Sequence, residues 1–282
     1  MRVAFQGEIG AFSEEAVMAL YGDVDLDPRP TFEAVFEAVT NGDVDRAVIP
    51  IENSLFGSVH ANYDLLQEHD VRIVGEIQLR IRHNLLARNG ASLEGLLKVH
   101  SHPQAIGQCR QFLKERVPNA DVMPAYDTAG AAKMVAQSGR PDEAAIASRR
   151  AAMEYGLSIL AENIESNHQN YTRFLALSME PTSRETLNET ARHDSKTSLV
   201  YSMKENVPGA LFKSLAVFAL REIDLFKIES RPLVGRPGSY LFYLDVEGSE
   251  ADEHVELALN HLREIASYLK VLGSYPRGKT ID

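Results

Sequence analysis

Hydroxyl and amide side chains cluster at the ends of several apolar, strand-like segments of this sequence. The clusters follow RAVIP (46–50), lie within VHSHPQAIGQC (99–109) and lie within NYTRF (170–174), and their members are Asn53, Ser54, Ser101, Gln108, Asn170 and Thr172. Each cluster taken alone fits turn chemistry and helix capping. Because ligands of open α/β sheets collect beyond the strand ends, the three clusters together predict a pocket for a small polar ligand.

Arg173 stands next to Thr172 at the start of the apolar run TRFLALSM (172–179). Its guanidinium could bind a carboxylate through two parallel hydrogen bonds. A salt bridge on the surface or between domains is an equally good interpretation. The spacing alone leaves both open.

Motifs for metal ions and nucleotides are weak or missing in the sequence. It has no Walker loop and no helix with two histidines at metal spacing. His100 and His102 form the one close histidine pair, and a structural or capping role explains it better than a metal. The run GEIGAF (7–12) lacks the Rossmann spacing. Cys109 is the one cysteine, which excludes an internal disulfide and a cysteine-built metal site.

Length and composition are those of an ordinary globular protein. The chain has 282 residues, of which 44% are hydrophobic and 24% charged, enough for one large domain or two. The net charge of −11 disfavours nucleic acid as a partner, because phosphate binding requires a basic surface. No apolar run reaches the length of a membrane span, and the N-terminus lacks the apolar core of a signal peptide. We therefore expect a cytoplasmic protein without a membrane partner.

Strand-like and helix-like segments alternate over residues 1–180. Helix-start signals occur at Ser13, Thr31 and Pro103. The predicted strands are 2–6, 46–50, 71–79, 83–88, 96–100, 144–148 and 172–179. This alternation predicts an α/β architecture with a largely parallel sheet. The strands could form two lobes, which periodicity alone does not establish.

Residues 181–195 are polar and lack an apolar period, so we interpret them as a linker. The segment 196–276 follows with predicted strands and helices of its own. The strands are 197–203, 225–232, 239–248 and 269–276, and the helices are 208–223 and 252–269. The order β-α-β-β-α-β is typical of a ferredoxin-like domain.

Several long motifs resemble those of the prephenate dehydratase family. They are FQGEIGAFSEEA, VIPIENSLFGSV, GEIQLRIRHNLL, VHSHPQAIGQC and, after ENIESNHQN, YTRF. PGAL (208–211) and ESRP (229–232) resemble the regulatory ACT domain of the same family. The resemblance covers nearly the whole chain.

The resemblance implies a catalytic domain (1–180) of two lobes, similar to periplasmic solute-binding folds, with the active site in the cleft between the lobes. The linker (181–195) and an ACT domain (196–276) follow. Family members convert prephenate to phenylpyruvate, water and carbon dioxide in phenylalanine biosynthesis. They need no metal or organic cofactor, and phenylalanine usually inhibits them through the ACT domain.

The resemblance also implies roles for individual residues. Thr172 matches the threonine regarded as catalytic, and we expect it to donate a hydrogen bond to the departing ring hydroxyl. We expect Arg173 to bind a substrate carboxylate and Phe174 to pack beside the ring. The residues expected to orient the substrate are Asn53, Ser54, Ser101 and Gln108.

The ACT-like segment predicts a phenylalanine site between two copies of the chain, and hence a homodimer or homotetramer. Backbone N–H groups at the start of its first helix suit a carboxylate, and Glu229 could meet an ammonium group. The predicted site comprises Gly209, Ala210, Leu211, Glu229, Ser230, Arg231 and Pro232. Turn and cap roles are the structural alternative.

Other functions remain open at this point. Arogenate dehydratase performs the same chemistry on a substrate with an amino group in place of the keto group, and it shares these motifs. A non-catalytic amino-acid sensor would not need the hydroxyl of NYTRF. A bifunctional enzyme with chorismate mutase is not expected, because no helical domain precedes MRVAFQGE.

Overall fold

The computed structural model describes residues 1–233 and 235–282. These residues divide into two compact units. The first comprises Met1–Asn62, Ile77–Phe174 and Thr280–Asp282, and the second comprises Tyr63–Glu76 and Leu175–Lys279. Within the described ranges, no helix combines the length and the apolar character that crossing a membrane requires.

The described residues form strands and helices throughout both units. The strands are β1 (Arg2–Gln6), β2 (Asp25–Arg29), β3 (Arg46–Asn53), β4 (Gly57–Ser58), β5 (Arg72–Arg80), β6 (Asn84–Ala87), β7 (Lys98–Ser101), β8 (Asp121–Pro124), β9 (Glu143–Ala147), β10 (Ser158–Ala161), β11 (Tyr171–Ser178), β12 (Ser195–Met203), β13 (Leu225–Pro232), β14 (Tyr240–Glu247), β15 (Ala266–Pro276) and β16 (Thr280–Ile281). The α-helices are α1 (Phe12–Tyr21), α2 (Phe32–Thr40), α3 (His60–Glu68), α4 (Pro103–Gln108), α5 (Arg110–Arg116), α6 (Thr128–Ser138), α7 (Arg149–Tyr155), α8 (Arg184–Glu189), α9 (Ala210–Ala219) and α10 (Glu253–Ile265).

A seven-stranded sheet has the order β16-β5-β11-β3-β1-β2, with β4 paired to β3. Strand β1 runs parallel to β2 and to β3. The apolar runs of β1 and β3 form internal strands because both of their faces are covered, and Val3, Phe5 and Val48 are fully buried. We call this sheet with α1 and α2 the first lobe.

A five-stranded sheet has the order β10-β6-β9-β7-β8. Strand β7 is parallel to β8 and β9, whereas β6 is antiparallel to β9 and β10. Leu85, Val99 and Ile146 belong to one of its buried clusters. We call this sheet with α4 to α7 the second lobe. The carboxyl ends of its parallel strands lead into helices, as those of the first lobe do, and this positions polar residues at the sheet edges.

The second unit contains an antiparallel four-stranded sheet of order β13-β14-β12-β15. Its chain order, β12-α9-β13-β14-α10-β15, is the predicted ferredoxin-like pattern. Leu199, Phe218 and Leu262 of the strands and helices share one buried cluster.

Some predicted boundaries differ from the structure. Helix α1 begins at Phe12 after Ala11, without a side-chain cap, and Ser13 is a buried residue within its first turn. The helix predicted over 252–269 ends at Ile265, because the residues from Ala266 pair with β12. The segment 181–195 contains α8. The predicted cap at Thr31 is confirmed, since its hydroxyl accepts a hydrogen bond of 3.2 Å from the N–H of Ala34.

Candidate active site

A cavity of about 610 Å³ in the first unit is lined by residues of both lobes. Its volume suits a small organic ligand. Much of its wall comes from the first turns of helices that follow parallel strands. Phe12 and Ser13 belong to α1, Thr31 caps α2 ahead of Phe32 and Glu33, and Tyr126 and Asp127 lead into α6 at Thr128.

Thr172 lies in the wall of this cavity, 8% exposed, on strand β11. Its Oγ1 accepts a hydrogen bond of 2.9 Å from Nδ2 of Asn53. The same nitrogen donates to Oδ1 of Asn170 at 2.8 Å. Oδ1 of Asn53 accepts from the backbone N–H groups of Leu55 (3.0 Å) and Phe56 (3.1 Å). These two backbone donors fix the amide so that its nitrogen faces Thr172.

The hydrogen-bond network continues from Asn170 to Gln108 and His83. Nδ2 of Asn170 donates to Oε1 of Gln108 at 3.0 Å, and the same Oε1 lies 2.5 Å from Nε2 of His83. Because that oxygen can only accept, His83 carries its proton on Nε2. Burial lowers the pKa of His83, so the ring is neutral, and its Nδ1 has no hydrogen-bond partner among the described residues.

The donor and the acceptor of each hydrogen bond in this network are therefore fixed. Oγ1 of Thr172 accepts from Asn53, which leaves the hydroxyl hydrogen of Thr172 to donate to a ligand in the cavity. Side-chain amides neither release nor take up a proton readily near neutral pH. The network consequently orients the hydroxyl and does not deliver a proton to it.

Phe174 lines the same cavity as Thr172 and is 2% exposed, but Arg173 does not line it. Successive side chains of a strand point to opposite faces, so Arg173 faces away from its two neighbours. The expected contact between Arg173 and a substrate carboxylate has no support in this geometry.

Ser54 and Ser101 also lie outside the cavity wall. Oγ of Ser54 donates to the carbonyl of Gln169 and accepts from the N–H of Tyr171, both at 2.9 Å. Ser101 is fully buried and donates to the carbonyl of Ile146 at 2.6 Å. Both hydroxyls are bonded within the protein, which indicates structural roles. The predicted site residues that the structure brings to one cavity are Thr172, Asn53, Gln108 and Phe174.

The cavity wall carries acidic side chains but, among its described residues, no lysine or arginine. The acids are Glu33 and Asp127. Asp127 caps α6 by accepting from the N–H of Gly130, and burial is the main cause that raises its pKa. Nδ1 of His102 accepts from the N–H of Gln104 at 3.3 Å, and burial lowers the pKa of His102. Both His83 and His102 are therefore neutral near pH 7.

The sequence predicts no specific role for His83 or Asp127, and it places Asn170 only among the polar residues expected near the pocket. Asp127 is recognisable in the sequence as a helix cap before Thr128. His83 lies in the family-like run RHNLL, but nothing in that run shows that its ring meets Gln108.

The described residues contain no group of three or more His, Cys, Asp or Glu side chains that could hold a metal ion. Cys109 is buried in the core of the second lobe. Burial raises the pKa of its thiol, so it is not a reactive thiolate.

The residues predicted to bind phenylalanine lie at two places in the second unit. Gly209 precedes α9 with a φ of 85°, a conformation that favours glycine, and Ala210 and Leu211 begin the helix. Residues 229–232 lie on β13, the terminal strand of its sheet. Arg231 pairs with Asp64 at 2.8 Å, so its charge is engaged within this unit.

Fold and site together define a two-lobed α/β enzyme for a small polar ligand, with a ferredoxin-like domain in the same chain. The sequence model of the family Prephenate dehydratase matches residues 3–182. "Arogenate dehydratase/prephenate dehydratase 2, chloroplastic" of Arabidopsis thaliana is 49% identical over 290 residues, which are 100% of this chain and 74% of the relative. The chain belongs to the prephenate dehydratase family, as expected, and is a dehydratase, a carbon–oxygen lyase.

Two solved structures are similar over nearly the whole chain. A prephenate dehydratase from Arthrobacter aurescens in complex with L-Phe is 36% identical with a TM-score of 0.89, covering 98% of this chain and 90% of that one. GqqA, described as a novel type of quorum quenching acylase, is 34% identical with a TM-score of 0.87, covering 98% of both. The expected fold class is thereby confirmed. The cytoplasmic location stays a prediction, since the plant relative is named chloroplastic.

Proposed function

We propose that this enzyme catalyses the decarboxylating dehydration of prephenate to phenylpyruvate, a step towards phenylalanine, without a metal or organic cofactor. The observation that carries the proposal is the direction of the hydrogen bonds at Thr172. Asn53 donates to its Oγ1, so the hydroxyl hydrogen is left for a group in the cavity.

The substrate supplies the driving force of this reaction. Prephenate is a cyclohexadiene with a hydroxyl on one ring carbon and a carboxylate on the opposite one. The bond to the carboxylate breaks, its electron pair enters the ring, and carbon dioxide leaves. The bond to the hydroxyl breaks with its electron pair, and one proton converts the departing oxygen to water. Because the ring becomes aromatic, the protein needs only to hold the geometry and stabilise the departing oxygen.

Thr172 acts on the departing oxygen. That oxygen gains negative charge as its bond breaks, so a donor aimed at it binds the transition state more strongly than the ground state. Loss of one such preorganised donor typically lowers kcat about 10²- to 10³-fold. Phe174 lies in the same wall and shields this step from water.

The carboxylates are held by neutral donors. No described lining residue is a lysine or arginine, and the first turns of α1 and α2 offer backbone N–H groups instead. Such weak anchoring is appropriate for a carboxylate that has to leave as carbon dioxide.

Two variants of Thr172 test the proposal. Thr172→Val keeps the shape and removes the hydroxyl, so kcat on prephenate should fall about 10²- to 10³-fold with little change in KM. Thr172→Ser should retain much of the rate. Thr40→Val is the matched control, because its hydroxyl in the first lobe donates to the carbonyl of Phe36 at 2.8 Å and does not line the cavity. Normal turnover by Thr172→Val would remove Thr172 from the mechanism.

Arogenate is the second candidate substrate. It presents the same ring chemistry, and the Arabidopsis relative is named for both activities. Measuring kcat/KM on both substrates decides between them, and a non-catalytic sensor would convert neither. The activity named for GqqA is not favoured, because an acylase nucleophile needs a base in contact, whereas Thr172 contacts an amide and His83 contacts Gln108.

We further propose that residues 1–180 form the catalytic domain, 181–195 the linker, and 196–276 an ACT domain that binds phenylalanine as a feedback effector. The βαββαβ order and the L-Phe in the Arthrobacter aurescens structure support this assignment. The effector site would comprise residues 209–211 and 229–232. Strand β13 ends its sheet and carries Ile228, 46% exposed, which is consistent with completion by a second copy in a homodimer or homotetramer.

Titration calorimetry of the intact protein with L-phenylalanine tests the regulatory proposal, with D-phenylalanine as the matched control. We expect binding of the L-isomer alone, with lowered dehydratase activity. Heat from neither isomer would contradict the proposal. Sedimentation of the same samples measures the number of chains in the assembly.

A further inference from the structure

Asp127 places a carboxylate in the wall of the cavity. Its Oδ1 accepts the capping hydrogen bond from the N–H of Gly130. Its Oδ2 lies on the side of Gly7, where a Cβ built on that glycine would be 3.7 Å from it. Gly7 also lines the cavity and has no side chain to cover the carboxylate. The helix start therefore engages Oδ1, and the backbone of Ala129 also bonds to this carboxylate. Because Asp127 lines the cavity, Oδ2 is the oxygen that we expect to meet a ligand.

The described cavity wall offers Asp127 no positive charge. His102, the base that acts on it, is neutral because its Nδ1 accepts a hydrogen bond and its pKa is lowered by burial. Glu8 adds repulsion and is itself paired with Lys133 at 2.8 Å. Glu33 adds a second acid to the wall. Burial first, and then the repulsion from Glu8, raise the pKa of Asp127, while the hydrogen bonds from Gly130 and Ala129 act in the opposite direction.

The two candidate substrates differ at one group. Prephenate carries a neutral keto group in its side chain, and arogenate carries an ammonium group at the same carbon. An acidic wall without lysine or arginine repels the two carboxylates of prephenate. In arogenate, the positive charge of the ammonium group offsets the negative charge of one carboxylate.

We infer that Asp127 binds the ammonium group of arogenate and makes the enzyme prefer arogenate over prephenate. The inference rests on the proposed function, because it keeps the ring chemistry proposed for prephenate and adds that the same cavity converts arogenate with the higher kcat/KM. Thr172 would act on the ring hydroxyl in both cases.

The experiment compares kcat/KM for arogenate and for prephenate in the wild type and in Asp127→Asn. Asparagine is as good a helix cap as aspartate, so this variant keeps the bond to Gly130 and removes the charge. The arogenate-to-prephenate ratio should fall about 10- to 100-fold, as for loss of a hydrogen bond to a charged group. The kcat/KM for prephenate should stay constant or rise. Asp127→Ser, which also preserves a cap, should show the same change.

Asp121→Asn is the matched control, because it changes the net charge equally from an exposed position on β8 that does not line the cavity. Its ratio should equal that of the wild type. An unchanged ratio in Asp127→Asn, or an equal loss on both substrates, would overturn the inference and leave the proposed function standing. A wild-type enzyme that converts prephenate but not arogenate would also overturn the inference and leave the proposed function standing. A wild type that converts neither substrate would overturn both.

Discussion

Replacing Asn53 by aspartate reverses one hydrogen bond while almost preserving the size of the side chain. One oxygen of the new carboxylate keeps the bonds from the N–H groups of Leu55 and Phe56. The other oxygen takes the place of the amide nitrogen, 2.9 Å from Oγ1 of Thr172 and 2.8 Å from Oδ1 of Asn170. It cannot donate, so the hydroxyl of Thr172 turns to donate to it and is lost to the departing group of the substrate.

The expected size of the effect follows from that loss. A preorganised donor to a developing oxyanion contributes about 2.7–4 kcal/mol, so kcat of Asn53→Asp should fall about 10²- to 10³-fold. The new charge also repels an anionic substrate, which raises KM. Two acceptor oxygens now face each other at Asn170, and this should cost about 1–3 kcal/mol of unfolding free energy.

The assay follows phenylpyruvate by its absorbance in alkali and separates kcat from KM. The double variant Asn53→Asp with Thr172→Val is the decisive control. If Asn53 acts through the hydroxyl, the double variant should be no slower in kcat than Thr172→Val alone. An unchanged kcat in Asn53→Asp would refute the proposed action of Asn53 on the Thr172 hydroxyl. So would a kcat in the double variant that is lowered by the product of the two single-variant factors.

The remaining predictions concern the ends of this network and its support. His83→Phe removes the donor to Oε1 of Gln108, so steady-state kcat should fall about 5-fold, for the loss of about 1 kcal/mol, with KM little changed. Gly10→Ala places a Cβ 2.8 Å from Cα of Ala151 at a φ of 93°, and urea unfolding should show a loss of about 2 kcal/mol or more. Burial raises the pKa of Glu15 to about 7, so the folded state keeps its proton after the unfolded chain has released it near 4.5. Stability should therefore fall by up to about 3 kcal/mol as pH rises from 4.5 to above 7, and Glu15→Gln should lack this fall in urea unfolding at pH 5 and pH 8.

Local signals were sufficient where the sequence determines the backbone directly. Strand β13 has the predicted bounds, 225–232, because turn residues follow it closely. Thr31 caps α2 as predicted, since the cap and the apolar stripe of that helix agree. One predicted boundary is wrong for a tertiary reason. The apolar pattern continues past Ile265, but pairing of Ala266 with Met203 turns the chain into a strand.

The candidate site also has features that local sequence predicts and features that depend on tertiary contacts. Thr172, Asn53 and Gln108, which the sequence places among the polar residues near strand ends, line one cavity, and their catalytic and orienting roles stay predictions. The local sequence does not show which face of β11 meets the cavity. It therefore groups Arg173 with Thr172, although the two side chains point to opposite faces of the strand. Nor does the local sequence show that the hydroxyl of Ser101 donates to a backbone carbonyl.

The hydrogen-bond network that orients the Thr172 hydroxyl also depends on contacts that no sequence motif predicts. Its members come from both lobes, so the lobes must hold a fixed relation for the hydroxyl of Thr172 to stay aimed. Oγ of Ser148 donates to the carbonyl of Gly10 at 2.7 Å, and Nε of Arg150 donates to the fully buried Glu14 at 2.7 Å. Both contacts join the start of α1 to the start of α7, and the missing side chain of Gly10 allows the approach. Displacement of this junction by Gly10→Ala should therefore lower kcat as well as stability, although the residue does not line the cavity.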